Sequence, residues 1–184
     1  MKNVMKLVLG MAVSLPVALV AANETPTGTG IGPSTGDREF SISGTGSNDA
    51  SFDEGTFGIV AEHGWYLQPN MLWGVRQSVN YASIEGESLT DDYWNGATSA
   101  YLDYQFGAEK VRPFVGGNLG LNYGDSSDDS LFSGLEGGLK FYALPSTFVQ
   151  TRAEYQWFFN SADDIGSSFS DGSFEYTLGV GFNY

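Results

Sequence analysis

One histidine, His63, and no cysteine stand among the 184 residues. Without thiols, disulfides, thiolate metal sites and cysteine nucleophiles are excluded. A hydrolytic triad needs a serine and an acid within reach of the imidazole. In the run Ala61-Glu62-His63-Gly64-Trp65 no serine lies two residues from His63 on the same face of a strand. His63 therefore reads as an interfacial side chain between Ala61 and Trp65, and no enzymatic activity is expected. Carboxylates offer a second chemistry. Asp49, Asp53, Glu54, Glu85, Glu87, Asp91, Asp92, Asp125, Asp128, Asp129, Asp163, Asp164 and Asp171 gather in polar segments that hold no Lys or Arg. Oxygen ligands of this kind suit Ca²⁺, and Asp125-Ser126-Ser127-Asp128-Asp129 is the best local candidate. It lacks the spacing and the glycine of a calcium loop, so these segments read as solvated, mutually repelling surface. No metal and no cofactor are expected, and no glycine-rich stretch has the strand–Gly–helix context of a nucleotide loop.

A third group of ionisable residues is set differently. Glu62, Arg76, Asp103, Glu136, Lys140, Arg152, Glu154 and Glu175 each stand on the polar parity of a segment whose other parity is apolar. Placed together in a poorly hydrated space, such charges must be paired or neutralised. They read as an internal salt-bridge network, and the alternative reading is a polar conduction path.

The elements that would hold them are strands. Eight segments of period-two alternation run over about 38–47, 54–67, 71–84, 95–106, 112–124, 131–143, 147–160 and 173–184. In the last, Phe174, Tyr176, Leu178, Val180, Phe182 and Tyr184 share one face and Glu175, Thr177, Gly179, Gly181 and Asn183 the other. The connections alternate between tight turns such as Gln68-Pro69-Asn70 and longer polar loops. Short turns at one end and long loops at the other, with an even strand count, predict an all-β, eight-stranded antiparallel up-and-down transmembrane barrel with both termini periplasmic. So many large rings would crowd a narrow interior, so the apolar face is expected to point out into lipid. Ile59, Val75, Leu102, Leu119, Leu139, Val180 and Phe182 are the markers of that outward face. Aromatics near strand ends, Trp65, Trp73, Tyr104 and Trp157 foremost, with Tyr66, Phe114 and Tyr142 among the others, suggest interfacial girdles. The turn at Pro69 sets a register in which Leu67 and Met71 are the last outward pair, Trp65 lies opposite Trp73 and Glu62 lies opposite Arg76.

Composition agrees: 15% of residues are aromatic, 25 are Gly and only 16% are charged. Residues 1–22 have the form of a secretory signal, with Lys2 and Lys6, an apolar run from Leu7 to Val20, and Val20-Ala21-Ala22 before a cut ahead of Asn23. Losing Lys2 and Lys6 moves the net charge from -14 to -16, which argues against nucleic-acid binding. Residues 23–37, rich in Thr, Gly and Pro, read as a flexible periplasmic lead-in to a barrel over 38–184.

Three motifs carry a resemblance. Arg112-Pro113-Phe114-Val115-Gly116-Gly117-Asn118-Leu119-Gly120, Gly134-Leu135-Glu136-Gly137-Gly138-Leu139-Lys140-Phe141 and the ending Thr177 to Tyr184 resemble strands of the OmpA/OmpX-like outer-membrane β-barrel superfamily. The ending is similar to the family's assembly signal, with Leu178, Val180, Phe182 and Tyr184 on its apolar parity and Tyr where Phe is usual. The resemblance implies insertion by the barrel-assembly machinery into the outer membrane, lipids and lipopolysaccharide as neighbours, and a monomer with a structural or surface-interaction role. Small pores and lipid-modifying enzymes of the same fold are the alternatives it leaves open.

Overall fold

The computed structural model describes residues 30–49, 55–82, 93–124, 130–159 and 172–184. Eight strands follow in chain order: β1 (Arg38–Asp49), β2 (Gly55–Gln68), β3 (Met71–Ala82), β4 (Tyr93–Gln105), β5 (Val111–Gly124), β6 (Ser130–Tyr142), β7 (Thr147–Phe159) and β8 (Gly172–Asn183). Each pairs antiparallel with its successor, and β8 returns to pair antiparallel with β1, so the sheet is a closed up-and-down barrel. Closure leaves no edge of unpaired backbone groups. The strand bounds lie within two residues of those read from the alternation. The expected signal at 1–22 and the start of the lead-in lie outside the described residues, as do all the loop acids named above except Asp49.

Alternation decides which way each side chain points, because successive Cβ atoms leave opposite faces of a strand. Ile59, Val75, Leu102, Leu119, Leu139, Val180 and Phe182 all point outward and are 43–56% exposed. Trp65 and Trp73 face each other across β2 and β3 on that same surface, stacked with ring centroids 4.9 Å apart. Tyr104 is exposed on the outer face near the same end, and Trp157 is half-buried on β7. At the chain's end Leu178, Val180, Phe182 and Tyr184 are all exposed on the outside of β8.

Three features differ from the sequence reading. Leu67 does not pair with Met71: the register runs true to Tyr66↔Leu72, then slips so that Gln68 faces Met71. A two-residue turn at Pro69-Asn70 takes Gln68 and Met71 as its closing pair, and Leu67 is absorbed as a bulge. Tyr66, Phe114 and Tyr142, counted by position as girdle residues, are buried inside, with Tyr101, Phe132 and Phe148. The interior accepts rings because glycines stand opposite them: Phe114 faces Gly138 and Phe148 faces Gly181. A Cβ at either glycine would run into the facing ring. Finally, residues 30–37 are not a free lead-in. Gly32 N donates to Pro145 O over 2.7 Å and Gly36 N to Tyr66 O over 2.8 Å.

Candidate functional site

The charges singled out on the polar parity all lie inside the barrel, each no more than 6% exposed. They divide into two layers. The larger centres on Arg76 of β3. Its Nε donates to Glu62 Oε1 over 2.6 Å, and Nη1 and Nη2 make a two-pronged contact with Glu136, 2.8 Å each. Nη1 also reaches Glu154 Oε2 at 3.1 Å, and the guanidinium lies 4.8 Å above the Tyr101 ring. Planar, delocalised and always charged, arginine is suited to this multiple pairing. Arg152 of β7 pairs with Glu62 from the other side, with looser contacts to Glu154 at 3.9 Å and Glu175 at 3.7 Å.

Neutral groups occupy the remaining carboxylate oxygens. Ser41 Oγ and Gln150 Nε2 donate to Glu62 Oε2 at 2.7 and 2.8 Å. Asn118 Nδ2 bridges Glu136 and Glu154 at 2.9 and 2.8 Å, and Gln156 donates to Glu154 at 2.8 Å. A buried ionic group is tolerated when its lone pairs and protons are satisfied in this way. Asp103 enters the same space over Gly116, which stands opposite it on β5. Its Oδ1 finds no hydrogen-bond partner among the described residues.

Lys140 belongs to a second layer nearer the short turns. Its Nζ pairs with Glu39 Oε1 at 2.5 Å and lies 4.8, 5.8 and 6.0 Å from the ring centres of Phe148, Phe114 and Tyr66. Tyr66 OH donates to the other oxygen of Glu39, and Gln105 Nε2 donates to Tyr66 OH over 2.8 Å. The lysine is thus held by one carboxylate and three aromatic faces, an arrangement in which ring quadrupoles supply part of the counter-charge.

Sequence reasoning missed Glu39 and Arg112. Glu39 shares its face of β1 with Ser41, Ser43 and Thr45, all buried, so parity alone would have found it. Arg112 stands at the start of β5, a strand end where an exposed rim position would be expected. It is instead 3% exposed, its guanidinium 5.1 Å above the Tyr142 ring. His63 lies on the outer face, edge-on to Trp65 with centroids 4.4 Å apart, and its Nδ1 is 3.5 Å from Tyr184 OH. No group of three His, Cys, Asp or Glu among the described residues is arranged to hold a metal ion.

No protein-family model matches the chain, and no curated protein matches its sequence. Solved structures do. Neisserial surface protein A is similar with a TM-score of 0.60 at 15% identity, over 80% of this chain and 96% of that one. The N-terminal β-barrel domain of Pseudomonas aeruginosa OprF gives 0.55 at 19%, over 83% and 100%. Ail, the attachment invasion locus protein of Yersinia pestis, gives 0.51 at 18%, over 82% and 99%. The shared feature is the fold, that of small eight-stranded outer-membrane barrels.

Proposed function

We propose that this chain, with the fold of small outer-membrane barrels, is an integral outer-membrane protein whose interior is a plug and whose role is structural or surface-interacting. The observation that carries the reading is the Arg76 network. It spans from β2 and β3 to β6 and β7 through the middle of the lumen, and its members are at most 6% exposed. Eight strands leave an interior just wide enough for side chains to fill. The apolar outer face, with Leu102, Leu119 and Leu135 exposed at 51%, 55% and 62%, supports contact with lipid. Under this reading the short-turn end and both termini are periplasmic, the long loops meet the exterior, and lipids with lipopolysaccharide surround the wall. The barrel-assembly machinery would insert it through the Leu178–Tyr184 parity, and the protein would act as a monomer without catalytic activity.

Planar-bilayer recording tests the plug. The purified protein should show no steady conductance over physiological voltages. Sustained, ohmic openings by the unaltered chain would overturn the plug and favour a small pore.

A further inference from the structure

The short-turn end of the barrel is crossed by the chain's own residues. β1 starts at Arg38, and the segment before it does not run back along β1 or β8. Gly36 N donates to Tyr66 O on β2, and Asp37 O accepts from Tyr66 N over 2.9 Å. Ser34 N donates to Asp37 Oδ2 over 2.7 Å, a local turn that redirects the chain. Further back, Gly32 N donates to Pro145 O in the β6–β7 connection. Ile31 O accepts from Arg112 Nη2 on β5. In an eight-stranded ring β5 stands diametrically opposite β1. The five steps from Ile31 to Gly36 span at most roughly 17 Å, of the order of the width of such a mouth.

Arg112 is built to hold this crossing. Its guanidinium has no carboxylate partner among the described salt bridges; it donates instead to three backbone carbonyls, of Ile31, Ala108 and Glu109. The Tyr142 ring supports its face. Gly32, at φ +90°, sits where any side chain would collide with that guanidinium, and left-handed backbone favours glycine. Pro33 next to it is buried. Directly inside lie Gln105 and the Lys140–Glu39–Tyr66 layer, all 2% exposed or less.

We propose that residues 31–36 form a strap that closes the short-turn mouth, latched by Arg112, as a second barrier in series with the Arg76 network. Displacing the strap exposes the aromatic–lysine layer without disturbing the middle of the barrel. This inference rests on the reading of the lumen as closed.

The absence of native cysteine makes a single introduced thiol a clean reporter. Gln105→Cys, in the full chain folded in liposomes or detergent, is treated with a water-soluble, membrane-impermeant maleimide. With the strap intact, labelling should be slow. Adding Gly32→Val should raise its rate tenfold or more, and Arg112→Met should do the same, while both proteins keep the heat-modifiable gel migration of a closed barrel. Should Gly32→Val fail to fold, Gly32→Ala with Arg112→Lys tests the same latch. Unchanged labelling in the folded strap variants would overturn the proposal. So would a rise with Arg112→Met and none with Gly32→Val, which would make the guanidinium alone the cover. Failure of the plug reading is separate, because it shows as steady conductance by the unaltered chain whatever the labelling rates.

Discussion

The middle of the lumen and its short-turn end both bury cations, and they neutralise them differently. Arg76 is met by three carboxylates, Glu62, Glu136 and Glu154. Lys140 has one, Glu39, and three rings. Arg112 has a ring and backbone carbonyls. The difference follows from what each strand end can supply. Mid-strand positions of facing strands bring acids across the barrel, whereas the mouth is lined by large rings and by turn carbonyls that would otherwise lack donors. The middle is therefore a charge lattice, in which each member depends on several others. The end is a packed layer, in which loss of one charge leaves the rings in contact.

The largest effect expected from this contrast is at Arg76. Arg76→Ala should destabilise the folded barrel by about 3–5 kcal/mol, since it leaves buried Glu136 without its cation and Glu62 and Glu154 with Arg152 alone. The measurement is equilibrium urea unfolding in liposomes. The paired change Glu62→Gln/Arg76→Met should cost less than the single one, because it removes a charge of each sign. If the double change costs as much or more, the pairing is not the origin of the effect.

A guanidinium on the other side of the same wall comes next. Leu119→Arg, at a 55% exposed outward site, should cost about 2–4 kcal/mol in a bilayer. A loss below about 1 kcal/mol would mean that this face does not lie at membrane depth.

Glu39→Gln/Lys140→Met, which removes one charge of each sign, is the smallest of the three. Met keeps contact with Phe148, Phe114 and Tyr66 through its polarisable sulfur, and Tyr66 OH keeps an amide oxygen to donate to in place of the Glu39 carboxylate. The cost should be about 1–3 kcal/mol, that of one weakened buried hydrogen bond. A loss equal to that of Arg76→Ala would erase the distinction between lattice and packed layer.

The strands and their faces were legible because a closed barrel with an apolar outer face and polar groups inside imposes strict alternation on every strand. That alternation, with the turn at Pro69, sets Glu62 opposite Arg76 and Trp65 opposite Trp73. What escaped falls where other forces act. The slip at Leu67 comes from turn closure and not from polarity. Tyr66, Phe114 and Tyr142 lie near strand ends as girdle residues do, yet their parity, and glycine opposite Phe114, turns them inward. Cross-barrel partners such as Arg152 and Glu62 lie on strands far apart in the sheet, and no pairing register of neighbours reveals them. Residues 31–36 have no periodic pattern at all; their fixed course depends on Arg112 and on single backbone hydrogen bonds, which leave no trace in composition.

The cross-barrel reach of these ion pairs also bears on assembly. Arg152 on β7 pairs with Glu62 on β2, and Lys140 on β6 pairs with Glu39 on β1. In the same sheet laid open, neighbouring strands lie about 4.8 Å apart, so β2 and β7 would stand roughly 24 Å from one another. Arg152 would then be out of reach of Glu62, and Lys140 of Glu39, until β8 meets β1, while Arg76 keeps Glu62 on the neighbouring strand. Sealing the seam and completing the neutralisation of the interior are consequently linked. A half-shut sheet lacks the cross-barrel pairs, so the last step of closure gains them together and is favoured as a cooperative one.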